Sequence, residues 1–223
     1  MSKLQILQET PDYAVILKPA GMLSQPAGGG GEDVLTILAK RWNRVAYPIH
    51  RLDRETGGVM VVGKRKEAAA VLSEQAASGE MKKEYLAVVH GICPEEGAMT
   101  DLLLHQSVGN KSFVVDRMRS GVKEARLTFR RLAVRQLPEQ ASLVCVWLQT
   151  GRTHQIRVQF AHRAHPLLGD RKYGSHAPGG LRLFCRKLIF RDPSRGETVC
   201  VSAVPEGEGW QEWHSAIECE KER

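Results

Sequence analysis

Long hydrophobic runs are missing from this chain. None of its 223 residues belongs to an apolar stretch of about 18, the length a helix needs to cross a bilayer, so no membrane association is expected. The opening residues, Met1-Ser2-Lys3-Leu4-Gln5, lack the extended apolar core of a secretion signal. Cysteine is scarce and shows no pairing pattern. Cys93, Cys145, Cys185, Cys200 and Cys219 make an odd count, and no two stand as Cys-x-x-Cys. Reduced thiols in a cytoplasmic protein fit that usage better than a disulfide framework. No segment repeats and no long linker divides the chain. The simplest parse is one domain over 1–223, with its core over about 12–204 and a polar, acidic tail from about 206.

Several familiar chemistries also lack their residues. The Gly-x-Ser-x-Gly nucleophile signature is absent. Gly58 to Lys64 has the spacing of a phosphate-binding loop, yet Arg65 stands where magnesium needs a Ser or Thr, and the intervening residues are β-branched. His154, His162, His165 and His176 have no acid or cysteine at a familiar ligand spacing, so no metal is expected. Acids are outnumbered. Lys and Arg number 32 against 25 Asp and Glu, a net charge of +7. Much of the excess lies in the second half, at Arg163, Arg171, Lys172, Arg182, Arg186, Lys187 and Arg191. A polyanionic partner is the natural reading of such a bias, and a solvated basic surface the plainer one.

What is present reads as strands and helices in mixed order. Strands are expected over 13–17, 59–62, 84–89, 124–132, 142–149, 181–190 and 198–201. Asp33 should cap a helix over 34–40, an Ala-rich helix should run over 67–77, and Thr153 should open a helix reaching Phe160. Gly28-Gly29-Gly30-Gly31 reads as a mobile loop and Pro138 as a turn. Regular β-α-β alternation is absent. The expectation is an α+β fold on a mixed, largely antiparallel central sheet with flanking helices. Trp210 and Trp213 could dock a tail that is otherwise expected to be partly ordered at best.

The densest chemistry lies in His50-Arg51-Leu52-Asp53-Arg54, where a carboxylate sits between two arginines just before Gly57, Gly58 and the apolar run Val59-Met60-Val61-Val62. Flanking cations favour an ionised carboxylate, which can serve as nucleophile or base. The same pattern can be an exposed ion pair of little consequence. Two further segments stand out: Lys82-Lys83-Glu84-Tyr85, and Gly151-Arg152-Thr153-His154-Gln155-Ile156-Arg157, the latter followed by Leu168-Gly169-Asp170-Arg171-Lys172-Tyr173-Gly174. Donors crowded at a helix start suit phosphate or carboxylate. Taken singly, Tyr85 reads as a strand aromatic and Arg157 as a helix-surface charge.

Taken together, the three segments resemble the RluA family of pseudouridine synthases, from Tyr13 to about Val204. The resemblance implies that family's catalytic fold and the isomerisation of uridine in structured RNA, ribosomal or transfer. It places the catalytic aspartate at Asp53, an active-site tyrosine at Tyr85 and the aspartate's arginine partner at Arg157. It further implies RNA contacts from Arg51, Arg54, Arg152, His154, Gln155, Arg171 and Lys172, no cofactor and a monomer; the S4 RNA-binding domain frequent in the family is expected to be missing, since the resemblance begins by Tyr13. Gly57 stands where the family usually has Ser, and Phe184-Cys185 where members often have Leu-His. Asp53 would either attack covalently or remove a sugar proton; the residues allow both. A glycoside or nucleoside hydrolase would also use a carboxylate but needs a second acid, for which Glu55 is the sequence neighbour. A non-catalytic RNA-binding module would not depend on Asp53.

Overall fold

The structure, a computed structural model, describes residues 4–27, 31–136 and 139–221. Most of the expected Gly28–Gly31 loop and the Pro138 turn lie outside these residues. In chain order the elements are β1 (Gln5–Glu9), β2 (Tyr13–Lys18), α1 (Val34–Trp42), β3 (Tyr47–Pro48), β4 (Gly57–Gly63), α2 (Lys66–Ser78) and β5 (Lys82–His90). There follow β6 (Glu96–Gln106), β7 (Lys111–Val115), β8 (Val122–Arg135), β9 (Ala141–Leu148), α3 (Gln155–His162), β10 (Leu183–Arg191), β11 (Thr198–Ser202) and α4 (His214–Lys221). The class is α+β with mostly antiparallel strands.

The chain forms two compact units, each assembled from two stretches of sequence. The first comprises Met1–Lys83 and Phe184–Pro205. Its strands run in the order β1-β2-β4-β10, with β3 added to β4 and β11 to β10. Only β10 runs parallel to its neighbour β4; the other pairs are antiparallel. Val59, Met60, Val61 and Val62 are wholly buried, as are Ala14, Val15 and Ile16 opposite them on β2. That burial on both faces is why these strands read as continuous apolar runs rather than alternating ones. The Asp33 carboxylate caps α1 by accepting the Thr36 N–H at 2.9 Å. Asn43 ends the helix in the left-handed region, where its short polar side chain is tolerated.

The second unit comprises Glu84–Leu183 and Glu206–Arg223. Its strand order is β5-β9-β8-β6-β7, antiparallel throughout. Phe160 of α3 packs edge-on against Phe129 of β8, with ring centroids 5.2 Å apart. Gln159 of α3 and Arg163, the residue that caps its C-terminus, tie down to Asp101 of β6. Arg163 does so through both terminal nitrogens, at 2.8 and 3.2 Å. Arg163 is therefore paired with an acid of the fold, although its place in the sequence implied a free basic surface.

Three expectations need correction. Thr153 does not cap α3: the helix starts one residue later than expected, after His154, which takes the left-handed backbone at φ 56°. The tail is a folded element. Trp210 and Trp213 are buried, α4 follows them and buries Ile217, and Glu212 and Glu220 pair with Arg135 and Arg130 of β8. Finally β1, β6 and β7 were not expected. β6 alternates weakly and carries several exposed polar residues, so it lacks the run that marks a buried strand.

Candidate active site

In the first unit, Asp53 lies half-buried on the loop between β3 and β4. The loop is held rather than free. Leu52 is buried; its N–H donates to the Ser24 hydroxyl at 3.1 Å, and that hydroxyl donates to the Leu52 carbonyl at 2.8 Å. A turn closes from the Thr56 N–H to the Asp53 carbonyl at 3.1 Å. The Arg54 carbonyl accepts from the Gly21 N–H at 2.7 Å, and the Arg54 side chain returns a bond to the Gly21 carbonyl at 3.0 Å.

Beneath this loop sits Lys18, the last residue of β2, only 1% exposed. Its ammonium donates to the carbonyls of Met22 at 2.7 Å, Pro19 at 3.0 Å and Arg54 at 3.2 Å. Burial pushes its pKa down to about 8, against the pull of the Asp53 and Glu55 carboxylates. The attraction is mutual, so a buried cation stands beside the candidate catalytic acid. Sequence reading took Lys18-Pro19 as a turn signal. The missed clue was a lysine ending an apolar strand directly before a proline.

His50, which opens the motif, is a structural pin. Burial lowers its pKa to about 3, with the charge of Lys83 pushing the same way, and the neutral ring accepts the Val61 N–H at 3.2 Å. Gly58 has a reason beyond turning the chain. Its φ is +127°, and a Cβ there would lie 2.3 Å from the Cys185 carbonyl oxygen on β10. Only glycine permits that approach of two backbones. Arg51 is exposed, with no hydrogen bond or ion pair among the described residues; Arg54 is exposed too and bonded as above.

In the second unit, Tyr85 is buried on β5 opposite Val146 of β9. Arg157 lies in the first turn of α3 and is 3% exposed. Its Nε and Nη2 donate to the two oxygens of Asp170 at 2.7 and 2.8 Å, a bidentate contact that fixes the plane of the guanidinium. Asp170 is held in turn by a loop sewn onto β5. Leu168 donates to the Val88 carbonyl at 2.8 Å, and the tight crossing at Gly169, φ +76°, brings its Cα side against Gly180. Asp170 stood within a motif quoted from the sequence, but its pairing with Arg157 was not foreseen.

Tyr173 joins the same cluster. Its hydroxyl accepts the Ser112 N–H at 2.9 Å, donates to the Ser112 carbonyl at 3.1 Å and meets His154 Nδ1 at 3.1 Å. Its ring lies 5.3 Å from the Arg157 guanidinium carbon. His154 and Arg157 thus share one neighbour, as their spacing on one face implied. Gln155 is buried and holds the preceding loop. Its side-chain oxygen accepts from the Thr150 hydroxyl at 2.8 Å and the Arg152 N–H at 3.0 Å, and its nitrogen donates to the Arg126 carbonyl at 3.0 Å. Arg152 donates to the Glu124 carbonyl at 2.8 Å. Arg171 and Lys172 are exposed, on a short 3-10 turn that ends at Tyr173. The structure therefore groups Asp53, Arg51 and Arg54 in one unit. The other holds Tyr85, Arg152, His154, Gln155, Arg157, Arg171 and Lys172.

A family model described as RNA pseudouridylate synthase matches residues 12–162. Ribosomal large subunit pseudouridine synthase D of Xanthomonas campestris pv. campestris is 36% identical over 91% of this chain and 66% of its own length. The chain thus spans just under two thirds of that relative. tRNA pseudouridine synthase C of Haemophilus ducreyi is 30% identical over 94% of this chain and 93% of its own length. Among solved structures, Human RNA Pseudouridylate Synthase Domain Containing 4 superposes with a TM-score of 0.76 at 24% identity, covering 96% of this chain and 93% of that one. This last likeness speaks for the fold.

Proposed function

The chain belongs to the RNA pseudouridylate synthase family, and from that premise we propose that it isomerises uridine to pseudouridine in structured RNA, with Asp53 as its catalytic carboxylate. The reaction breaks the uracil N1–C1′ bond, joins C5 to C1′ and moves the C5 proton; nothing is oxidised and no water is consumed. It calls for an ionised, rigidly held carboxylate. The observation that carries the reading is the Asp53 loop itself, stapled by Ser24 and underlain by the Lys18 ammonium. A fixed cation below the loop favours the charged acid without needing a metal. Tyr85 and Arg157 enter the proposal through the family's motifs. Arg157, already oriented by Asp170, is suited to a directional contact with a second carboxylate, and Tyr85 to packing on uracil and assisting C5 proton removal.

The target base must leave its stack to reach the acid. Arg51 is assigned to the vacated place or the backbone beside it, and Arg54, Arg152, Arg171 and Lys172 to phosphates, which position the RNA without reading its sequence. His154 and Gln155 contribute by shaping the loop that carries Arg152. Ribosomal RNA is favoured over transfer RNA, on the strength of the ribosomal relatives. The reading extends to a monomer, and to the cytosol, where five scattered cysteines without a pairing pattern are at home.

The test is Asp53→Asn, nearly isosteric but a far poorer nucleophile or base. Pseudouridine should form on RNA with the wild-type protein and fall below detection with the variant, while RNA binding stays within about twofold. Turnover at a tenth of the wild-type rate would overturn the assignment of Asp53. Release of free uracil by the wild type would identify a hydrolase instead.

A further inference from the structure

A groove of about 590 Å³ opens in the second unit between β7, α3 and the 3-10 turn at Arg171–Tyr173. Its cations are Lys111, Arg171 and Lys172, and no carboxylate lines it among the described residues. Two of its residues act as struts. The Lys172 ammonium donates to the carbonyls of Gly109 and Asn110 at 2.9 and 3.0 Å, at the tip of the β6–β7 hairpin. Tyr173 occupies both backbone groups of Ser112 on the outer edge of β7. Together they stitch the turn to the hairpin, and Arg171 stands at the start of that turn, exposed, with no side-chain partner among the described residues. Lys111 has no ion pair among them either. Its ammonium lies 5.2 Å from the Tyr173 ring and 5.5 Å from that of Phe113. Phe113 is 37% exposed, at the middle of the edge strand β7.

We propose that this groove binds an unpaired nucleotide of the RNA substrate, its base stacked on Phe113 and its phosphate held by Arg171 and Lys111. The inference rests on the reading that the chain acts on RNA, and adds a strand-binding site to it. Cations without acids select an anion. Inorganic phosphate alone would leave Phe113 unexplained; a base supplies the flat apolar partner that an exposed ring accepts. The volume lies in the range that small ligands fill. The struts explain the geometry. A turn sewn to the hairpin at two points fixes the backbone at Arg171, so little loop entropy is lost when phosphate arrives. The same chemistry could come from a free nucleotide, but a groove open at the surface, on a sheet edge, suits a strand that enters and leaves.

The probe is a fluorescein-labelled oligouridylate of eight nucleotides, titrated by anisotropy over a range of salt. Phe113→Leu should weaken binding about five- to hundredfold, and Phe113→Tyr should bind as the wild type does. Arg171→Ala should also weaken binding and flatten the log–log salt slope by about 0.7, the value for one phosphate of a single strand. A 4-thiouridine version of the oligomer should photocrosslink to wild-type peptides bearing residues 111–114 or 171–174. Uridine monophosphate should compete only at far higher concentration. The proposal is overturned if the wild type does not bind the oligomer, if Phe113→Leu binds it as well as wild type, if the crosslinks fall elsewhere, or if the mononucleotide competes equally. Pseudouridine formation is measured beside this on wild type. Isomerisation without groove binding removes the groove and leaves the synthase; groove crosslinks without isomerisation do the reverse.

Discussion

Replacing Asp170 with Asn tests the part of the site on which Arg157 depends. The two charges are 3% and 0% exposed and meet through two bonds of 2.7 and 2.8 Å. Asn keeps the shape, but its amide nitrogen puts donors where a guanidinium N–H needs an acceptor. One bond is lost, and a buried cation loses its matching charge. Breaking a buried pair from one side costs about 3–5 kcal/mol. For a protein of this size that corresponds to a fall of about 6–20 °C in melting temperature. The assay is thermal melting by circular dichroism; if the two units melt separately, only the second unit's transition should move. Single-turnover isomerisation should fall as well, because the guanidinium loses its fixed plane. A second variant separates the two effects. Arg157→Met combined with Asp170→Leu removes both charges and should recover most of the melting temperature without recovering activity. A melting temperature for Asp170→Asn within about 2 °C of wild type would refute the claim that this pair anchors Arg157.

Further expectations concern the Asp53 loop, the crossing at Gly58 and the role of Tyr85. The Lys18 pKa of about 8 lies below its ordinary 10.5, so between those values the unfolded chain binds more protons and stability rises with pH. The wild type should therefore gain about 3 kcal/mol relative to Lys18→Met from pH 7.5 to 10.5, read from urea midpoints; a flat difference would show that Lys18 is not desolvated. Gly58→Ala should cost more than about 3 kcal/mol because its Cβ meets backbone at 2.3 Å in a left-handed conformation. Gly57→Ala, whose Cβ meets nothing closer than 3.4 Å, should cost under about 1 kcal/mol, and equal losses would contradict the crossing argument. Tyr85→Phe should slow single-turnover isomerisation at least about tenfold with binding unchanged, the scale of a lost acid–base group, whereas equal rates would mean that the hydroxyl is idle.

The parts of the fold that could be read in the sequence are those in which one residue or one run decides the outcome locally. Asp33 caps α1 because its own oxygen reaches an N–H three residues on, and β4 is legible because four consecutive apolar residues are buried on both faces. The failures are non-local. β6 and β7 owe their pairing to each other and to β8 rather than to any run of their own. The start of α3 misled because Thr153 has the chemistry of a cap, whereas the backbone turns at His154. In the site, Asp53 announced itself through flanking charge. Lys18 and Ser24 did not, because their importance is a matter of what folds over them, and Asp170 means little until α3 is laid above it.

The division of the chain into interrupted units has a temporal side. β4 takes β2 on one flank and β3 at Val62 and Gly63, both from segments made earlier, but its first residues, Gly57 and Gly58, pair with Phe184 and Cys185 of β10. Residues 84–183, the main stretch of the second unit, must be synthesised in between. At about 5–20 residues per second, a ribosome needs on the order of 5–20 seconds for that stretch. Throughout that interval Gly57 and Gly58 wait with an open strand edge, the kind of surface that pairs with strangers. The loop bearing the proposed catalytic acid leads directly into that edge. A nascent chain thus acquires the main stretch of its second unit before it can close the first, and any delay in translation within 84–183 prolongs the exposure of that edge.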